Sequence, residues 1–469
     1  RSLPLAKAGG LDAWAVADLQ ALPRGAFDDL AKVLGQIERD GEWPEGLRGA
    51  IVALIPKKGD PAPLEQRPIS LLPLVYRVWA AARSDLLRAW FAEQGHPSAW
   101  GQGRGRGADT AAWVAAAQAE VAAAQGDDSF AAFIDCEKCY DHVDLERLEG
   151  EGVLHSLGRL VRLAAHQYRG TRFVRWAGAI SGGIVPVSGI PAGCPLANGM
   201  LHLYLLRAMR RTQGDESGAR LRTYVDDWRL FAAGLRERAA ASLVQAYRVA
   251  SGGLSEACMV VNTRKTVLLA SGRDARAALK QAAGDLRHMV HVTVKDLGVD
   301  SALGANRRRP AQKGRIAEAI ESAKRIARVP TGWQGRATLA AALSRSQFMW
   351  GADVTGLSAG ALRRLRRWMA FAVNGGPSAR RAPEVLLALA GPGVFLEPDL
   401  QVTFAIVRGW AKRCAQCPDL FALVLPAWEK EQLQPTPVAK CRGPVAQLVA
   451  AVRRLGRVPL APERWTSEY

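Results

Sequence analysis

The chain has 469 residues, with 63 Lys and Arg against 44 Asp and Glu and a formal net charge of +19. At 49% hydrophobic and 23% charged residues it can bury sizeable cores, which excludes a disordered chain, and roughly 100–200 residues per domain implies several domains or subdomains. The basic excess favours a polyanionic partner, because each Lys or Arg set against a phosphate releases condensed counterions.

Seven cysteines are too sparse and too odd in number for a disulfide scaffold, so an intracellular, nuclear or cytoplasmic setting is expected. Cys414 and Cys417 form a CxxC, but no second pair follows at zinc-finger spacing, and free thiols are the expectation. No apolar run reaches the roughly 18 residues of a membrane span, and no signal-peptide layout is present at the start, so no membrane partner is expected. The first residue is Arg1, which leads us to expect flanking sequence in a longer protein.

In chain order, residues 11–22 and 25–40 space apolar side chains three and four apart around Pro23, predicting two helices. Residues 50–55 and 129–134 are short apolar runs ending in charge and read as strands. Residues 111–124 form an Ala-rich helical segment behind the run GQGRGRGAD (101–109). That run lacks a GK[ST] ending and a strand before it, which argues against a nucleotide P-loop. Frequent Gly and Pro between 170 and 195 predict hairpins and tight turns, followed by a helix over 196–211. TYVDDWRLFA reads as two short strands interrupted by Asp226 and Asp227. Beyond Asn306 three helical segments carry RRR (307–309) and RRLRR (363–367), so a boundary is placed near residue 305. No internal repeat is visible.

Two adjacent acids between β-favouring residues belong at a turn, since a strand interior would send them to opposite faces. Alone, such a pair is an ordinary solvated turn. The segment FAAFIDCEKCYDHVD changes this reading. Its apolar strand delivers Asp135 at its carboxyl end, a usual place for functional groups in open sheets. If the two strands are neighbours, three carboxylates cluster. Cations would offset their repulsion, and two Mg²⁺ about 3.5–4 Å apart are the arrangement that stabilises attacking and leaving oxygens in phosphoryl transfer.

YVDDW (224–228) resembles the YxDD box of reverse transcriptases, and FIDCEKCYDHVD (133–144) resembles their first carboxylate motif. Further boxes follow in the family's order. IPKKGDPAPLEQRPISLL resembles the fingers motif of non-LTR (LINE-type) retrotransposon enzymes, SGIPAGCPLANGMLHLYLL their turn–helix box, GLSEACMVVNTRKT their GLxxNxxKT box, and VKDLGV their primer grip.

The resemblance implies an α+β right-hand polymerase. Its fingers would fall within 1–125 and its palm, built on an antiparallel sheet, within 126–304, with a fingers insertion at about 145–185. A basic helical thumb would cover 305–400, leaving 401–469 without an assigned role. The implied activity is RNA-directed DNA polymerisation with two Mg²⁺, or Mn²⁺, held by Asp135, Asp226 and Asp227. Implied partners are an RNA template, a DNA primer, their RNA–DNA hybrid and dNTPs. Lys265 matches the lysine that protonates the pyrophosphate leaving group, with Arg264 as its neighbour. Lys57 and Arg67 match the cations that clamp the triphosphate, and Lys58 is an alternative to Lys57. Tyr140 matches the aromatic that excludes a ribose 2′-hydroxyl. Arg104 and Arg106 match template-backbone contacts, Gly193 lies in the turn that approaches a base pair, and Leu297 and Gly298 turn the primer-grip hairpin. Arg307–Arg309 and Arg363, Arg364, Arg366 and Arg367 would grip the hybrid.

Three departures from the family pattern stand out: Ala192 where Gln is usual, Ala197 for Ser, and Asp296 for Tyr. Other readings of the same boxes are a viral RNA-dependent RNA polymerase, a group II intron maturase, and a non-catalytic RNA-binding palm. Against these stand Tyr140 with VDD, RPISLL in the fingers box, and the presence of all three carboxylates.

Overall fold

The computed structural model describes residues 8–56, 66–101, 106–214, 216–304, 309–377, 382–389, 396–434, 436 and 443–467. In chain order its strands are β1 (Ala50–Ile55), β2 (Arg67–Leu71), β3 (Ala99–Trp100), β4 (Asp128–Ile134), β5 (Cys136–Glu137), β6 (Arg172–Trp176), β7 (Ala179–Ile180), β8 (Arg220–Tyr224), β9 (Asp227–Gly234), β10 (Val260–Val261), β11 (Val267–Ala270), β12 (Val290–His291), β13 (Val294–Asp296), β14 (Val299–Ser301), β15 (Arg457–Ala461) and β16 (Arg464–Ser467).

A six-stranded sheet ordered β12-β11-β4-β9-β8-β3 forms the centre, with β11, β4, β9 and β8 running antiparallel to one another in turn. Its middle strand, DSFAAFI, is largely apolar because both faces are covered. Alternation along the strand sorts the side chains. Phe130, Ala132 and Ile134 face the main core with the helices Ala197–Gln213 and Arg236–Glu256. Ala131 and Phe133 face Ala119 and Ala122 of the helix Ala108–Gln125. A second sheet, β2-β1-β6-β7, stands beside it and sets Ile55 opposite Arg67.

The helix Ala108–Gln125 is apolar nearly all round because it is covered on both sides. Its outer side meets residues 398–467, where Trp113 packs on Trp410 at 5.3 Å. The Glu120 carboxylate accepts 2.8 Å hydrogen bonds from the N–H groups of Val445 and Ala446, at the start of the helix Pro444–Arg454. These bonds serve backbone donors that the helix itself leaves unpaired. The last part of the chain is thus built against the central sheet's own helix.

A further helical layer has its own core. Pro310–Ala327 packs on Ala359–Asn374 through Ile316, Ile320, Leu365, Met369 and Val373. Asp300 caps the first of these helices by accepting from Ala311 N at 3.0 Å and Gln312 N at 2.9 Å.

Most of the predicted elements appear within a few residues of their expected bounds. The first does not: only Val16–Ala21 is helical. Asp12 Oδ2 accepts from Leu74 N at 2.6 Å, capping the helix Leu74–Gln94, and Gly10 lies against Leu72 O so closely that a Cβ would stand 2.5 Å away. That docking holds residues 10–15 out of the helix their spacing favours. Among the described residues no helix is long and apolar enough to cross a membrane, and the described cysteines, Cys414 and Cys417 included, are free thiols.

Candidate active site

Asp135 follows β4 directly, and the Asp226–Asp227 pair sits at the tight turn joining β8 to β9, with Tyr224 opposite Asp227. Since β4 and β9 are hydrogen-bonded neighbours in a register that sets Ile134 opposite Trp228, the sheet brings the two motifs to one edge. The turn is strained: Val225, buried and β-branched, has φ +60°. Strain of this kind persists only where the surroundings impose it, and it is found preferentially at functional sites.

The loop 262–266 is stitched to Asp135. Asn262 N donates to Asp135 O at 2.8 Å, and Asp135 N donates to Thr266 Oγ1 at 3.4 Å. The Asn262 side chain accepts from the N–H groups of Arg264 and Lys265 and shapes the turn between. This places Lys265 Nζ 3.6 Å from Asp135 Oδ2. Lys265, rather than its neighbour Arg264, is therefore the cation that reaches Asp135.

Burial raises the pKa of Asp226. Its own backbone N–H pulls it partly back, and Asp135 pushes it further up. Asp227 is pushed up to about 7, by burial first and then by Asp226, Asp296 and Asp135. Asp135 Oδ2 is buried with no hydrogen-bond donor. A carboxyl oxygen with only Lys265 Nζ near it, at 3.6 Å, beside two further acids suits a hard divalent cation, so the residue types present fit that group. Among the described residues no three His, Cys, Asp or Glu side chains stand together at metal-holding distance.

Tyr140 is reached by two routes. Its hydroxyl donates to Asn198 Oδ1 at 2.7 Å, and its carbonyl accepts from Ile190 N at 2.9 Å. The turn from Gly189 to Pro195 also docks on β2, where Ser70 N donates to Ala192 O at 2.6 Å. Gly193, at φ +110°, approaches so closely that a Cβ would stand 2.8 Å from Ser70 O; only glycine fits there. Asn198, whose side chain the sequence offered as a polar contact, therefore ties the tyrosine to the turn–helix box.

A family model described as reverse transcriptase (RNA-dependent DNA polymerase) matches residues 55–300, a span holding every one of these carboxylate, lysine and tyrosine positions. The chain belongs to the reverse transcriptase family. It is similar to the Transposon TX1 uncharacterized 149 kDa protein of Xenopus laevis, 28% identical over 206 residues; the match covers 43% of this chain and 16% of that relative. A solved structure of apo telomerase from Candida tropicalis, truncated from its C-terminal domain, shares 13% identity over 55% of this chain and 54% of its own, with a TM-score of 0.38.

Within this reverse transcriptase the other expected residues are placed unequally. Leu297 (φ +45°) and Gly298 (φ +76°) form the two-residue turn between β13 and β14. Arg106 folds back on its own loop, donating to Ala99 O at 3.2 Å. Lys57, Lys58, Arg104, Arg307 and Arg308 lie outside the described residues, and Arg309 donates to Gly356 O at 3.1 Å. Arg363, Arg364 and Arg367 are exposed on the helix Ala359–Asn374. Arg366, expected to bind the hybrid with them, turns inward to Glu397 at 2.7 Å and Glu384 at 3.2 Å. Two acids brought by distant segments claim it.

The sequence alone did not single out Thr266, Arg222, Arg229, Arg315 or Trp350. For Arg222 and Arg229 a signal existed: in RTYVDDWR a two-residue turn must set the two arginines opposite each other.

Proposed function

We propose that the chain is an RNA-directed DNA polymerase that copies an RNA template from a primer 3′-hydroxyl, as part of a mobile-element protein. The observation that carries this reading is the convergence of Asp135 and the strained Asp226–Asp227 turn on neighbouring strands, with Lys265 Nζ 3.6 Å from Asp135. A transposon protein among its relatives supports the mobile-element setting.

Two divalent cations, Mg²⁺ or Mn²⁺, held by Asp135, Asp226 and Asp227, would supply the charge that activates the attacking 3′-oxygen and offsets the departing one. The chain's own side chains do the rest. Lys265 holds a proton beside the position of the leaving pyrophosphate, a role worth about 10²–10⁴ in rate for a placed general acid. Tyr140, tied at both its hydroxyl and its carbonyl, presents a fixed ring edge to the sugar and leaves no room for a 2′-hydroxyl. Arg67, at the β2 end opposite Ile55, provides a fork for triphosphate oxygens together with Lys57. Arg363, Arg364 and Arg367 offer phosphate contacts on a thumb helix.

Primer extension on an RNA template with Mg²⁺, comparing dNTPs with NTPs, tests this. Extension with dNTPs at a preference of several orders of magnitude is expected. Extension with NTPs alone would make the chain an RNA polymerase, and binding without extension a scaffold.

A further inference from the structure

Arg222 and Arg229 stand directly opposite each other on β8 and β9, a short way down the hairpin from its closing pair, Tyr224 and Asp227. Like charges at opposed positions repel, and a buried guanidinium without partners is costly. The side chains find only partial relief. Arg222 lies over the Trp100 ring at 4.8 Å and donates to Gln118 Oε1 at 3.3 Å. Arg229 is 6% exposed, lies over Phe133 at 5.1 Å and donates to Ala115 O at 3.0 Å. Its Nε and Nη1 are buried without a hydrogen-bond partner.

The acid whose charge acts on both is Asp296, the last residue of β13. Arg222, Tyr224, Asp227, Arg229, Asp296 and Leu297 share the wall of one cavity of about 20 Å³, room for a single water. One small space therefore separates the catalytic turn from the primer-grip turn, and a buried arginine with two unpaired donor atoms borders it. From the opposite side the primer-grip turn is pinned by Trp350 Nε1, which donates to Leu297 O at 3.2 Å, and by Arg315 Nη2, which donates to Gly298 O.

We infer that Asp296, set against Arg222 and Arg229, is a positioning residue that locks the Leu297–Gly298 turn to the Asp226–Asp227 turn. The inference rests on the polymerase reading for its functional consequence. Its physical content is independent: without Asp296 the half-buried Arg222 and the buried Arg229 lose the one acid that offsets part of their charge, and the two turns part. An aromatic at this position, as the family usually has, would fill the space without balancing the pair. A short acid suits a chain that carries two arginines beneath it.

The test uses Asp296→Asn, Arg222→Gln and the double variant, each in the full chain. Single-turnover primer extension from a preformed RNA–DNA complex should slow about tenfold or more in Asp296→Asn, the order of loss that a misplaced reacting group produces. Affinity for the RNA template strand alone should stay within about twofold, as the turn that Asp296 positions is assigned to the primer and the phosphate contacts lie elsewhere. The double variant, which returns the cluster to the wild type's single excess positive charge, should recover most of the rate. A purely structural role would lower melting temperature and affinity together and show no recovery. Hydrogen exchange at residues 225–228 and 296–299 should rise in both segments of Asp296→Asn and return in the double variant.

Unchanged exchange and rate in Asp296→Asn overturn the inference. If the wild type itself does not extend primers, the polymerase reading falls, and the exchange measurement still decides the coupling of the turns. Should Asp296→Asn fail to fold, a folded double variant is the expected result, and a double variant equally unfolded overturns the charge pairing.

Discussion

The Tyr140 hydroxyl donates a 2.7 Å hydrogen bond to Asn198 Oδ1, joining the loop after Asp135 to the helix that follows the Gly–Pro turn. With its carbonyl also held by Ile190 N, the ring cannot swing away from the site without breaking a bond to the neighbouring motif. The sugar gate proposed for Tyr140 has to resist displacement by the group it rejects, and this pairing would supply the resistance.

Removing the ring should therefore relax sugar selection. Tyr140→Ala is expected to raise NTP use relative to dNTP use about tenfold or more, within the range by which one group in a pocket discriminates. Tyr140→Phe keeps the ring and should shift the ratio much less. The ratio of kcat/KM for matched dNTP and NTP pairs is the measurement, and an unchanged ratio in Tyr140→Ala would return Tyr140 to the core.

Asp135→Ala and Asp226→Ala should each abolish extension while template–primer binding stays within a few-fold of wild type. Under the proposed assignment chemistry and phosphate gripping use different side chains, so rate and affinity should separate. Filter binding and extension on the same preparations would show it. Residual activity above a few percent in either variant would sink the assignment of these carboxylates as cation ligands.

Replacing Arg363, Arg364 and Arg367 together by Gln should weaken hybrid binding and flatten its salt dependence. Every arginine removed from a phosphate should lower the slope of log K against log[salt] by about 0.9 for a duplex. Arg366 is left in place, because its ion pairs with Glu397 and Glu384 make it part of the fold. A folded triple variant with the wild-type slope would leave these arginines a solvated face.

His202 is fully buried beside Phe91, with neither ring nitrogen hydrogen-bonded. Burial lowers its pKa to about 4 from an ordinary 6.5. The unfolded chain thus takes up the proton first as pH falls. Stability should be constant with respect to this group above about pH 6.5 and decline between there and 4, by about 3 kcal/mol in all. Urea midpoints of wild type and His202→Leu, measured from pH 7 to 4.5, should shift relative to each other in favour of the variant as pH drops. Parallel curves would mean that another group carries the acid sensitivity.

The strands on either side of the catalytic carboxylates were legible because their causes are local. An apolar run as short as residues 129–134 has few alternatives to a buried strand, and two adjacent acids among β-formers can only sit comfortably at a turn. The order of the boxes then pointed to the family, and the adjacency of β4 and β9 placed Asp135 beside Asp226 as that order required. The choice between Arg264 and Lys265 was not local; it followed from Asn262 clasping Asp135, which turned one side chain toward the acid.

What only the tertiary structure decided concerns which charge meets which. RRLRR reads as one basic face, yet Glu384 and Glu397 arrive from segments further along the chain and withdraw Arg366 from it. Apart from the CxxC of Cys414 and Cys417, residues 401–469 offered no assigned role, and the docking of Trp410, Val445 and Ala446 depends on Glu120 and Trp113 of a helix far earlier in the sequence. Asp296 reads as a departure from a motif until the hairpin brings it to the wall of one small cavity with Arg222 and Arg229. Helix and strand patterns repeat within a few residues and so are written locally. Ion pairing and helix docking depend on surfaces that become neighbours only once the sheet has formed, and no spacing along the chain encodes that neighbourhood.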